Sequence, residues 1–143
     1  MKNKKVLIST APAEGAELPL IFESPHSGFD YPADFKYSCP EELLRGCEDP
    51  HLEKMFARAP LYGAYFFHAL FPRTYIDVNR RTDSLYAPHV KGSLSQLFCE
   101  KSDPSARSGK GLIWMKCPDK AGTPVYSENN RPDEAAIMRR IRD

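Results

Sequence analysis

Residues 18–31, LPLIFESPHSGFDY, decide how the rest of the chain is read. The apolar run LPLIF has β-branched and aromatic content and is closed by Pro25, Ser27 and Gly28, the signature of a short strand running into a turn. The turn alone would account for those residues. His26 gives them a second meaning, because open α/β sheets gather ligand and metal groups at the carboxyl ends of their strands. Ser27 and Gly28 then offer backbone N–H groups without side-chain bulk, which would let a substrate or metal approach closely.

On the amino-terminal side, KKVLIS reads as another short strand and AEGAE as the loop between the two. On the other side, PEELL makes one helical turn, and Asp49-Pro50 reads as an N-cap followed by proline at the first helical position. Leu52, Met55, Phe56 and Ala59 would form the apolar face of that helix, with Pro60 as its stop. LYGAYFFHALF reads as a second short helix ended by Pro72. RTYIDVNR is expected to be a buried strand emerging at Asn79-Arg80. Residues 82–110 form a long polar excursion, and such loops in compact domains are usually functional or mobile. GLIWMKC and TPVYS read as further short strands. Arg131-Pro132-Asp133-Glu134 opens a last helix, EAAIMRRIRD, whose Ile137 and Ile141 need an apolar partner. Three or four strands and a helix with no closing signal point to a single α/β domain over 1–143 that is truncated, the first part of a longer one. Truncation in turn implies dimers or aggregates through an exposed sheet edge.

The chain has 143 residues, and its 20 basic and 19 acidic side chains leave a formal charge of +1. Nothing in that balance recruits nucleic acid or an anionic membrane. No stretch approaches the roughly 20 apolar residues that span a bilayer, and the apolar run VLI near the start is too short for a signal-peptide core. A cytoplasmic location is expected. Cys39, Cys47, Cys99 and Cys117 show no C-x-x-C spacing and read as reduced, mostly buried thiols.

Several side chains could carry chemistry. His26 is either a turn residue or a ligand. Asp49 is either an ordinary N-cap or a carboxylate aimed at the same sheet edge, and Glu48 competes for that role. A histidine and a carboxylate are two of the three protein ligands a catalytic zinc requires. His51 could support the site, line a pocket or be plain surface. In DVNRR, Asn79, Arg80 and Arg81 form a plausible anchor for an acidic substrate, since guanidinium forks match carboxylates. The competing reading pairs Asp77 with one of those arginines structurally. His68 reads as a packed helix histidine, and His89 is unassigned.

LPLIFESPHSGFDYP, followed by EDPHLEKMFARAPLYGAYFFHALFPRTYIDVNRRTD, resembles the N-formylglutamate amidohydrolase (N-formylglutamate deformylase) family of histidine breakdown. The resemblance covers roughly residues 18 to 142. It implies a phosphorylase/hydrolase-like α/β fold, a three-layer sandwich with a mixed sheet. It also implies hydrolysis of N-formyl-L-glutamate, or a related N-acyl amino acid, to formate and glutamate, assisted by zinc or another divalent metal. Carried over residue by residue, His26 and Asp49 match metal-ligand positions. Ser27, Asn79, Arg80 and Arg81 are candidate substrate contacts, Asn79 and Arg80 falling in the segment that holds substrate. In the family the third metal ligand is a histidine in a D-x-H-S block, which this sequence lacks. The implied partner is a small N-acyl amino acid, with no nucleic acid and no membrane. The rival readings are a catalytically inactive relic that at most binds an acidic ligand, and a nucleic-acid-binding module. Near-neutral charge disfavours the second.

Overall fold

The segment expected to be a second helix, LYGAYFFHALF, is a turn followed by a strand. The computed structural model describes residues 7–95 and 103–143, and Gly63 is the pivot of its middle. Gly63 sits at φ 86 and closes the 3-10 turn Ala59–Tyr62. A left-handed residue ends a right-handed helix, and here a side chain would also collide with the Ala16 carbonyl oxygen, 2.4 Å from the Cβ position. The chain leaves that turn extended as β3, Tyr65–Ala69.

This late strand is the centre of the sheet. β1, Leu7–Thr10, pairs with it antiparallel, and β2, Ile21–Ser24, pairs with it in parallel, giving the order β1-β3-β2. Alternation along the strands divides the side chains between two faces. Phe22 and Phe66 share one face, where Phe22 packs at a tilt against Phe56 with ring centroids 5.2 Å apart. Leu7, Ile21, Tyr65 and Phe67 share the other. The architecture is α/β with a small mixed sheet. His68 lies in β3, opposite Ile8 and Ser24, and is not a helix histidine.

Among the described residues, four short α-helices accompany the sheet. α1 spans Glu41–Arg45 and α2 spans Leu52–Met55, a single turn rather than a helix reaching Ala59. Asp49 does not cap α2; the residue at the cap is His51, at φ 70, with no side-chain cap bond. α3 spans Pro104–Arg107. α4, Glu134–Arg142, begins where its proline and acids place it, with the Asp133 carboxylate accepting from the Ala136 N–H at 2.8 Å.

Three expected strands are irregular, and TPVYS is reduced to a single bridge at Pro124. RTYIDVNR is buried over Thr74–Asp77 but turns instead of extending, with the Asp77 N–H donating to the Leu112 carbonyl at 2.8 Å. GLIWMKC has only isolated bridges, Lys110 to Trp114 and Lys116 to Pro124. Its apolar side chains fill the core even though its backbone joins no ladder. That core lies beside the sheet: Leu44, Val125 and Ile137 are its most enclosed members, around the rings of Phe35, Tyr75 and Tyr126. Burying each such aliphatic side chain contributes about 1.5–3 kcal/mol. Cys39, Cys47 and Cys117 are free and buried, and burial pushes the Cys47 thiol up to about 11 and that of Cys117 up to about 12. Cys99 lies outside the described residues. Among the described residues, no helix is long and apolar enough to cross a membrane.

Candidate active site

β2 ends at Ser24, and the following turn is closed by the Ser24 hydroxyl donating to that of Ser27 at 2.8 Å. Gly28 is required here for packing rather than for ligand access. A Cβ on it would lie 2.4 Å from the Leu70 carbonyl carbon and 2.5 Å from the Phe71 oxygen. The SPHSG turn is therefore clamped on the segment leaving β3, with Asp30 N–H donating to Leu70 at 2.8 Å. This clamp carries His26 just past the sheet edge, and the His26 carbonyl accepts the Asp49 N–H at 3.0 Å.

The side chains follow their backbones together. His26 Nδ1 lies 3.3 Å from Asp49 Oδ2, and Nε2 lies 2.8 Å from Asp77 Oδ1. Asp77 is fully buried and collects donors. Besides His26 it accepts from the Asn79 N–H at 3.1 Å, Trp114 Nε1 at 3.2 Å and the Arg73 guanidinium at 3.4 Å. Burial alone would raise its carboxyl; donation from His26, then the charges of His26 and Arg73, hold it below the usual carboxylate range. Arg73 also reaches Asp49 at 3.6 Å and lies over the Trp114 ring at 4.8 Å.

When the imidazole is neutral, this arrangement fixes its tautomer. A carboxylate can only accept, so Nε2–H donates to Asp77, and Nδ1 of a neutral imidazole is left with its lone pair. That lone pair faces the Asp49 oxygen. Two acceptors at 3.3 Å repel unless a proton or a cation lies between them. An imidazole nitrogen and a carboxylate oxygen suit a divalent cation chemically, and a carboxylate behind the ligating histidine is the usual support of such a ligand. The pair is nonetheless short of a full set: among the described residues, no three His, Cys, Asp or Glu side chains meet in a metal-holding group.

The other candidates sort differently. Glu48 is drawn off to the Tyr31 hydroxyl and to Arg45. His51 is exposed at the start of α2. His89 packs edge-on against Tyr86 and is lowered by its burial. The Ser27 hydroxyl is used within its own turn. Asn79, Arg80 and Arg81 line a hollow of about 430 Å³ with Asp83, Ser84 and Asp103. Arg80 Nε stands 3.8 Å from Asp77, whereas the Arg81 fork is occupied by Asp83, with Nε donating at 2.8 Å. The sequence reading did not assign Arg73 or Trp114 to the site, although Arg73 precedes Asp77 by four residues and Trp114 is the chain's one tryptophan.

A family model described as N-formylglutamate amidohydrolase matches residues 18–143. The chain belongs to the N-formylglutamate amidohydrolase family. Among solved structures, it is similar to the crystal structure of N-formylglutamate amidohydrolase from Ralstonia eutropha JMP134, with 37% sequence identity and a TM-score of 0.85. The match covers 96% of this chain and 46% of that one, so the chain spans about half the length of this family member. No curated protein matches the chain.

Proposed function

We propose that the chain supplies metal-holding and substrate-anchoring groups of a metal-dependent amide hydrolase acting on N-formyl-L-glutamate or a related N-acyl amino acid, yielding formate and glutamate. The observation that carries this reading is the approach of His26 Nδ1 to Asp49 Oδ2 while the buried Asp77 occupies Nε2. Membership of the amidohydrolase family supplies the reaction class.

His26 and Asp49 would hold the ion, zinc or another divalent metal. When bound, such an ion provides Lewis acidity toward the amide carbonyl and a nucleophile at neutral pH. Asp77 keeps the His26 ring in the tautomer and orientation that present Nδ1 outward. Arg73 ties the Asp49 and Asp77 carboxylates together and limits their mutual repulsion. Arg80, on the wall of the 430 Å³ hollow, receives a substrate carboxylate and so fixes the position of the reacting amide. A cytoplasmic setting suits the free thiols of Cys39, Cys47 and Cys117.

Zinc titration by calorimetry, together with formate release from N-formyl-L-glutamate, tests the proposal. Zinc uptake that falls at least tenfold in both His26→Ala and Asp49→Ala is expected, and Arg80→Ala should raise KM more than it lowers kcat. Uptake unchanged in both ligand variants, or no uptake and no turnover after zinc is added, would overturn it.

A further inference from the structure

A cluster of positive charge lies apart from the candidate active site. Lys36, Lys91, Arg131, Arg139 and Arg140 line a hollow of about 330 Å³ along α4, with two carboxylates, Asp34 and Asp133. It shares no lining residue with the hollow that holds Arg80. In a chain whose formal charge is only +1, five cations in one hollow are a local concentration of charge. Both carboxylates are already engaged. Asp34 accepts the Tyr75 hydroxyl on its two oxygens at 3.0 and 2.9 Å, and Asp133 accepts the Ala136 N–H at the start of α4. Among the described residues, none of the five cations forms an ion pair. Arg140 separates this hollow from a merely solvated surface. It is 7% exposed, and its guanidinium lies over the Tyr75 ring at 4.1 Å. Nη1 donates to the Tyr75 carbonyl at 2.9 Å and to the Tyr126 hydroxyl at 3.0 Å, while Nε is buried with no partner. A buried cation without a counter-ion is costly, and the ring face offsets only part of that cost. An anion in the hollow would supply the missing partner.

We propose that this hollow binds a phosphate group, free or carried on a small phosphorylated molecule, with Arg140 as its buried contact and Lys36, Lys91, Arg131 and Arg139 around it. The cations come from three parts of the chain: the loop before α1, residue 91, and the segment 131–140 that includes α4. A carboxylate is planar and is matched by a single guanidinium fork. A phosphate directs its oxygens tetrahedrally and carries more than one negative charge near neutral pH, so it answers donors arriving from several directions. The inference rests on none of the groups around His26 and holds whatever reaction they perform.

Calorimetric titration of the full chain tests it, with inorganic phosphate and phenyl phosphate as probes and sodium chloride of equal ionic strength as the blank. One bound phosphate group per chain is expected, and the tighter of the two probes identifies the source of the group. Binding should weaken about tenfold or more in Lys36→Glu/Arg139→Glu. Both side chains are exposed, so the variant should still fold. Lys120→Glu, an equal change of sign at an exposed lysine outside the hollow, should bind as the parent does. Arg80→Ala and saturating N-formyl-L-glutamate should leave phosphate binding intact, which separates this site from the catalytic one. Hydrogen exchange on the parent chain should show phosphate-dependent protection over residues 131–140, a readout that needs no variant. No saturable binding, binding indifferent to the double variant, binding lost in Arg80→Ala or displaced by N-formyl-L-glutamate, or unchanged exchange over 131–140 would each refute the proposal.

Discussion

Replacing Asp77 by asparagine should test the buried hub severely while changing almost no volume. In the parent, Oδ1 accepts from His26 Nε2 and the Asn79 N–H, and Oδ2 accepts from Trp114 Nε1 and Arg73. An asparagine can keep its oxygen on the first pair. Its amide nitrogen then faces the second pair, so donor meets donor at Trp114 and Arg73. Each buried donor left without an acceptor costs about 1–3 kcal/mol, more for a charged one. Among the described residues, the carboxylate left to Arg73 would be the half-exposed Asp49 at 3.6 Å. The expected loss is about 3–5 kcal/mol, in the range for breaking a buried ion pair. With a urea dependence of roughly 1–3 kcal/mol per molar, the midpoint should fall by about 2 M. Trp114 is buried in the hub and is the chain's one tryptophan, so its fluorescence reports the transition directly. An asparagine variant within about 0.5 kcal/mol of the parent would mean that the donors find water or other acceptors, and the hub account would be wrong.

Two further perturbations follow from the same geometry. Gly28→Ala places a methyl against the Leu70–Phe71 backbone, which cannot move as a flexible side chain would; the cost should reach or exceed about 3 kcal/mol, and a variant with the parent's urea midpoint would contradict the clamp. Raising the pH should weaken the fold: Cys47 and Cys117 have thiols raised above their ordinary value by burial. Their stabilising contribution is complete below the ordinary thiol range near 8.5 and is lost as pH climbs toward about 11 and 12. A urea midpoint constant between pH 8 and 11 would argue against sealed thiols.

Part of this architecture was legible locally. β2, its turn and the placement of His26 follow from an apolar run closed by proline and glycine. The start of α4 follows from Pro132 and Asp133, whose roles need only neighbouring residues. β3 was not legible in the same way. YFFHA lacks the alternation of a half-buried strand, and it becomes a strand because β1 and β2 flank it, which is a long-range cause. Gly63 carried the one local warning, a left-handed stop where a helix had been expected to continue. The site divides similarly. His26 and Asp49 could be named from their contexts, but Asp49 turned out to be released from capping by His51, which takes the left-handed cap position. Arg73 and Trp114 join the hub through folds of the chain that no spacing rule encodes, and Asp77 could be seen only as a partner for arginine.

The insertion of β3 between β1 and β2 has a consequence for biosynthesis. Both outer strands leave the ribosome well before their shared partner, so Leu7 must wait for Ala69, and Ile21 for Tyr65. At ~5–20 residues per second the delay lasts seconds, far longer than the microseconds in which a hairpin closes. During that interval two sticky, solitary segments are tethered to a growing nascent chain. Slowing translation before codon 65 should therefore lower the soluble yield, and early chaperone capture should restore it.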